Sequence, residues 1–445
     1  MTSSPAITLR LTALGAAGVF FVGLLAWATS KGLGLDIVAL SVLLSIPILT
    51  ARTRWAATAA LAPVLIYPVA GLNDPTLLHG ALNVKPVMAV YLLVSVAWIY
   101  GARDRATVLD KTTLIGVVVI LVSGLLESAH SGNGTLGPTI TLGIFWLSAL
   151  GLGSLLADDL SQFTTIGICA LPLAALSLWQ AATGKNPYQD LIGPLHFAGS
   201  VDYGGLQRAT STFGEPLVAG ASLAVLAFLA IAGHRRAALF ASLAVLLGAI
   251  ATVSRSALIG AILGFAVLSA QRTARRRILV VLVLGAGSVF VAALAVPRFA
   301  TSLEGRVLNQ PYAQVARTAG PQRLATDFST NPWSLAFGAG IGSTSRELAE
   351  QGGVGGVDTY DNQYIDSIFD IGFIPFFLAL VLLGYAAFTA VPQRRRVFLP
   401  AVVVAVGTLA FFDGLGWPSF GVLFWFIFGA LTARDVDNNY RDNVS

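Results

Sequence analysis

Apolar stretches of about 17 to 25 residues return along almost the whole chain, separated by short polar turns. That is the length a helix needs to cross a hydrocarbon core about 30 Å thick. The pattern predicts helical spans at 11–29, 34–50, 55–71, 86–101, 112–126, 138–157, 163–182, 215–232, 237–253, 256–271, 278–296, 364–390, 397–412 and 417–432, about fourteen (12–14), with the weakest patterns at the N-terminus. The first span could pass for a signal peptide, since Leu25-Ala26-Trp27-Ala28 offers small residues at a cleavage spacing. Arg10 is the only charge ahead of it, however, and keeping the span makes the topology of the rest consistent.

Two polar segments interrupt the rhythm. One runs from about 183 to 214, and the other is a long loop at 297–363. The second is too long for a connector. It carries a polar helical pattern, Ser345 to Gln351, then the hinge-like Gly352 to Val357, and predicts short helices capping one side of the bundle. No repeat period, low-complexity tract or separate soluble region breaks the chain, so 1–445 reads as a single transmembrane domain, an all-α polytopic membrane protein.

Composition agrees with this picture. Hydrophobic residues make up 56% and charged residues only 11% of the 445, with a mean hydropathy of +0.77, which a water-soluble domain of this length would not tolerate. Charge sets the orientation. With a cytoplasmic N-terminus, the inner turns hold Arg52, Arg54, Arg103, Arg105, Lys111, Arg235, Arg236, Arg272, Arg275 to Arg277 and Arg394 to Arg396. Adding Arg10, Arg434 and Arg441 places 17 of the 27 basic residues inside. Both termini are therefore expected in the cytoplasm, and the net charge of +5 follows from this bias and not from nucleic-acid binding. The one cysteine, Cys169, falls mid-span, which rules out an intrachain disulfide and a multi-thiolate metal site.

Against this bias a few cations stand out on the outer side. Arg255, in the stretch TVSRSALIG, separates two apolar runs with hardly any loop between them. A headgroup anchor is the plain explanation for one such arginine. Arg208 lies just before the span that begins near Glu215, and Arg317 and Arg323 belong to the long loop on the same side. Asp358, Asp361, Asp366 and Asp370 gather where that loop enters the next span. Guanidinium groups present planar donor forks suited to phosphate oxygens, so two could clamp a diphosphate. A carboxylate beside them could accept a hydroxyl proton.

Each residue also has an ordinary structural alternative. Glu215 suits a helix N-terminus. Asp366 and Asp370 are four apart on one helix face and could pair with arginines for structure alone, while Asn362 and Tyr364 could be interfacial. His79, His130 and His196 are outer alternatives for a base, and Gly260-xxx-Gly264 is a weak helix-packing signal.

Taken in order, Arg208-x-x-Ser-Thr-Phe-Gly-x-Pro, Ser254-Arg255-Ser256, Asn331-Pro332, Gly338-Ala339-Gly340-Ile341-Gly342, Asp361-Asn362-Gln363-Tyr364 and Asp370-Ile371-Gly372 resemble the O-antigen ligase and O-antigen polymerase superfamily over about 200–380. The resemblance implies a GT-C-like membrane glycosyltransferase of the bacterial cytoplasmic membrane. Such enzymes pass a glycan from an undecaprenyl-diphosphate-linked donor to an acceptor hydroxyl on the outer face. Carried over, Arg208 and Arg255 would hold the donor diphosphate, with Arg317, Arg323, Glu215, Asn362 and Tyr364 as further substrate contacts. Ligases have a histidine before the asparagine; this chain has Asp361 there, closer to the polymerase-like members, which leaves the base open between Asp361 and another group, Asp361 being the one expected to take the hydroxyl proton.

Direct attack by the acceptor hydroxyl would invert the anomeric centre, with no cofactor and no metal. The competing arrangement has Asp358, Asp361 and Asp366 hold a divalent cation. A different class, a lipid-linked glycan flippase or other secondary transporter, would place charges near mid-membrane in two related halves. Here the charges collect at one rim and in one half.

Overall fold

The apolar periodicity is realised as helix in nearly all of the described chain. The structure, a computed structural model, describes residues 61, 65, 107–131, 136–192, 208–231, 236–270, 320–324, 326–327, 330, 332–344, 362–412 and 414–435. The main elements run β1 (Thr107–Val108), α1 (Lys111–Ser131), α2 (Leu136–Leu156), α3 (Leu160–Cys169), α4 (Leu171–Thr183), α5 (Pro187–Ile192), α6 (Pro216–Ile231), α7 (Arg236–Ala251), α8 (Arg255–Ser269), α9 (Pro332–Phe337), α10 (Gln363–Ile371), α11 (Phe373–Thr389), α12 (Pro392–Leu409), α13 (Pro418–Thr432) and β2 (Arg434–Asp435).

Expected spans 112–126, 138–157, 215–232, 237–253, 256–271, 397–412 and 417–432 each coincide with one helix. Those at 11–29, 34–50, 86–101 and 278–296, and all of 55–71 except Leu61 and Leu65, lie outside the described residues, as do the helical pattern at 345–351 and the glycine stretch after it. Two helical stretches, Lys111–His130 and Leu160–Thr183, are long and apolar enough to cross a bilayer, and six shorter apolar helices accompany them. Outward faces are apolar: Ile115, Val122 and Leu126 of α1 and Val381, Tyr385 and Phe388 of α11 are all exposed. Such an exterior is a liability in water and ordinary against lipid.

Helix α6 forms the centre. Every residue from Val218 to Ala230 is buried, as expected for a helix apolar on all sides. Around it, small residues let backbones close on one another. A side chain at Gly153 of α2 would lie 1.8 Å from the Phe426 carbonyl oxygen of α13, and one at Gly429 would lie 2.2 Å from that of Leu150. Trp146 and Trp425 pack beside this contact with ring centroids 5.5 Å apart. The Gly260-xxx-Gly264 signal also marks a true interface, since both glycines of α8 meet Val404 of α12.

At one end of the bundle, charges fasten the helices. The Asp110 carboxylate accepts the Thr113 backbone N–H at 2.9 Å, capping α1. Its other oxygen pairs with Arg434, and β1 pairs antiparallel with β2. Buried Arg394 donates to the Ala433 carbonyl and to Asp158 at 2.6 Å.

The expected single span at 364–390 is corrected by a break at Gly372, where φ is +87°. The cause is the Gly338–Gly342 loop, which reaches the end of α10. Ala339 N–H donates to the Phe369 carbonyl at 2.9 Å and Gly340 N–H to that of Asp370 at 2.8 Å, satisfying carbonyls that a helix end otherwise leaves open. The Asp370 carboxylate accepts Gly342 N–H at 2.8 Å, Ser343 Oγ at 3.1 Å, Thr344 N–H at 3.3 Å and Thr344 Oγ1 at 3.0 Å. The described partners of Asp370 are thus loop donors and not arginines. Ser123 of α1 completes the join by donating to the Ile371 carbonyl at 2.8 Å.

Two substitutions test this framework. Gly153→Ala must force α2 and α13 apart and is expected to lower stability by about 2 kcal/mol; an unchanged melting temperature in detergent would contradict the close approach. Asp370→Ala should lower stability by about 3 kcal/mol and speed hydrogen exchange at 338–344, whereas Asp370→Asn, which keeps an acceptor, should do less of both.

Candidate functional site

The end of the bundle opposite the charge fastening is where α7 turns into α8. The chain uses only Thr252, Val253 and Ser254 for this. Thr252 and Val253 close the end of α7 by donating to Ala249 and Ile250 carbonyls at 3.2 and 2.8 Å. Val253 takes φ +52°, an uncommon conformation for a β-branched residue and one that needs support from its surroundings. Ser254 then caps α8, its Oγ accepting Ala257 N–H at 3.4 Å and lying 2.8 Å from Ser256 Oγ. Arg255, half-buried, is the first residue of that helix.

Arg208 is brought to the same turn from 44 residues away in sequence. It is buried, and its Nε donates to the Thr252 carbonyl at 3.2 Å. Two arginines of the expected donor clamp thus share one three-residue turn. The second turn of α6 is there as well: a side chain at Gly220 would lie 2.5 Å from Thr252 Oγ1 and 2.8 Å from Ser254 Cβ. The starts of α6 and α8, both positive ends of helix dipoles, therefore lie near the Arg208 contact, with Arg255 as the first residue of α8, a setting that favours an anion.

The loop that delivers Arg208 is held by residues the sequence reading passed over. Gln180, buried near the end of α4, accepts Thr210 N–H at 2.8 Å and Ser211 N–H at 3.2 Å. Buried Asn186 donates to the Ser211 carbonyl at 2.8 Å and to Thr210 Oγ1 at 3.2 Å. Ser211 Oγ donates to the Leu173 carbonyl at 2.8 Å and Thr212 Oγ1 to that of Leu65 at 2.8 Å. A polar amide in the last turn of an apolar run, Gln180, and an asparagine before proline, Asn186-Pro187, were the available signals. In the same segment, burial pushes the Tyr188 phenol well above its ordinary pKa.

The other expected site residues have defined local roles where they are described. Glu215 accepts Val218 N–H at 2.9 Å and caps α6. Asn362 caps α10, accepting Tyr364 and Ile365 N–H at 3.0 and 3.3 Å. Tyr364 donates to the Val406 carbonyl at 2.5 Å, and Gln363 accepts Leu415 N–H at 2.7 Å. These bonds seat the start of α10 on the end of α12. That is the stretch of α12 whose Thr408 a side chain at Gly260 of α8 would meet at 2.7 Å, so the residues following Asp361 sit over the helix that pairs with Arg255's own.

Arg323 forms an ion pair with Asp327 at 3.3 Å and lies 5.0 Å from the centroid of the Phe369 ring, which places it against α10. Asp366 is buried on α10, and His130 is exposed in the last turn of α1. Arg317, Asp358, Asp361, His79 and His196 lie outside the described residues. Among the described residues, no group of three acidic, histidine or cysteine side chains is placed to hold a metal.

A family model for WcaD colanic acid polymerase matches residues 162–433. The match takes in the Gln180–Thr210 contacts, both arginines, the Gly338–Asp370 join and the last helix. No curated protein and no solved structure matches the chain. With more than half of its length under this one model, the chain belongs to the WcaD colanic acid polymerase family, membrane-associated bacterial polysaccharide polymerases of the glycosyltransferase type.

Proposed function

We propose that this polymerase joins lipid-linked glycan units on the outer face of the cytoplasmic membrane, taking the donor glycan from an undecaprenyl diphosphate carrier. The single observation that carries this reading is the arginine turn, in which the Nε of buried Arg208 donates to the carbonyl of Thr252, three residues before Arg255. Two helices begin near this turn, Arg255 opening one of them, and a lipid diphosphate is the anion that such an enzyme must hold and release.

The step follows from elementary chemistry. An acceptor hydroxyl oxygen attacks the anomeric carbon as the bond from that carbon to the diphosphate oxygen breaks. Arg208 and Arg255 take up the charge developing on the leaving diphosphate, which departs on its lipid. Asp361 accepts the hydroxyl proton. One displacement inverts the anomeric centre, and no metal is needed where two fixed cations neutralise the leaving group. Asn362 and Tyr364 support the step by seating the start of α10 over α12; Arg323 supports it through its contact with Phe369. Glu215 fixes the start of α6, and Arg317 adds positive charge from the long loop. Membership of a polymerase family favours an acceptor that is another carrier-linked glycan over the foreign acceptor of a ligase.

The test uses the full-length protein in lipid nanodiscs with an undecaprenyl-diphosphate-linked oligosaccharide. Wild type should give a ladder of lengthening products with inverted linkages, at a rate indifferent to chelator. Arg208→Ala and Arg255→Ala should each slow it about a hundredfold, and Asp361→Asn about a thousandfold. A near-normal rate for Asp361→Asn would remove that residue as the base. Transport of the lipid across sealed vesicles with no lengthened product would overturn the enzyme mechanism itself.

A further inference from the structure

The loop from Arg208 to Glu215 has few ways to hold its own shape. It contains one internal turn bond, Phe213 N–H to the Thr210 carbonyl at 3.0 Å, and Ser211 takes φ +51°. A non-glycine residue in that region is strained by of order 1 kcal/mol and persists only where its neighbours impose it. The turn on the other side of the Arg208 contact carries the same signature at Val253. These are the only two described non-glycine residues with positive φ, and the Arg208–Thr252 hydrogen bond joins their two turns.

What imposes the Ser211 conformation comes from a different part of the chain. Gln180 turns its Oε1 to the N–H groups of both Thr210 and Ser211, at 2.8 and 3.2 Å. Successive N–H groups converge on one acceptor only when the backbone curls, as it does through the left-handed region. Asn186 holds the opposite side of the same peptide, donating to the Ser211 carbonyl at 2.8 Å, while its own Oδ1 accepts Tyr188 and Gln189 N–H at 3.1 and 3.4 Å to start α5. Both amides are at least nine-tenths buried. Buried amides in an apolar bundle are unfavourable unless satisfied, and here they are satisfied by the arginine loop.

We propose that Gln180 and Asn186 are positioning residues for donor binding: together they hold the Thr210–Ser211 peptide in its curled form and thereby hold Arg208 against the Thr252 carbonyl, beside Arg255. They touch the loop, not the substrate. This rests on the reading of Arg208 as a diphosphate ligand, and the two can fail separately.

The experiment titrates the full-length protein in nanodiscs with a fluorescent short-chain polyprenyl diphosphate. Arg208→Ala should weaken binding about tenfold, and Gln180→Leu, which removes the acceptor at similar volume, about fivefold. If Gln180 acts through Arg208, the double variant should bind within about twofold of Arg208→Ala alone, because there is no longer a guanidinium to misplace. A residue that merely stabilised the bundle would instead add its own loss, giving about fiftyfold. Additive losses, or wild-type affinity in Gln180→Leu beside a weakened Arg208→Ala, overturn the inference. Wild-type affinity in Arg208→Ala overturns the donor-clamp reading instead. Should Gln180→Leu fail to assemble, Asn186→Ala takes its place in the same comparison, since it releases the Ser211 carbonyl and leaves Gln180 in position.

Discussion

A guanidinium taken out of water needs acceptors already aligned to meet it, because the protein interior cannot reorganise around it as solvent does. At its Nε, Arg208 meets this need with the carbonyl of Thr252. That oxygen is available because α7 stops there: the chain turns through Val253 and is captured by the Ser254 cap of α8. The site is therefore a property of helix ends. Remove the abrupt α7–α8 turn and there is no carbonyl for Arg208 and no place for Arg255 at the start of a helix.

The rest of the bundle is arranged so that this end can be polar while the middle is not. Between the ends, close approach of small residues replaces polar contact, with Gly153 and Gly429 bringing α2 and α13 together, and Gly260 and Gly264 doing the same for α8 and α12. Several serine and threonine hydroxyls within helices return to their own carbonyls, as Ser177 does to Leu173 and Thr432 to Phe428, and these ask nothing of neighbouring helices. Ion pairing is concentrated at the far end, around Asp110, Asp158, Arg394 and Arg434. These four groups thus act at helix termini, where Asp158 and Arg434 remain exposed.

Much of this was legible from residue patterns. Among the described residues, helix positions followed the apolar runs to within a few residues, Arg208 and Arg255 were conspicuous as cations against the expected charge bias, and the capping role of Glu215 was foreseen as its ordinary alternative. Three things were not legible. Hydropathy does not register a change of backbone sign, so the run through Asp370-Ile371-Gly372-Phe373 read as one span although Gly372 breaks it. The partners of Asp370 come from a loop about 27 residues earlier, a pairing that no local spacing encodes. Gln180 and Asn186 drew no notice, because their meaning lies in a peptide that reaches them only after the chain has folded back.

Gly338 and Gly372 illustrate a deeper coupling. Each has a positive φ, and each lies against the other's backbone: a Cβ at Gly338 would fall 2.5 Å from the nitrogen of Gly372, and one at Gly372 would fall 2.3 Å from the carbonyl carbon of Phe337, next to Gly338. A methyl group at either place collides with peptide atoms that have no rotamer to escape into. Neither position accepts a side chain while the other's backbone stays in place, so the crossing of the loop and the broken helix is as close as two peptides can come.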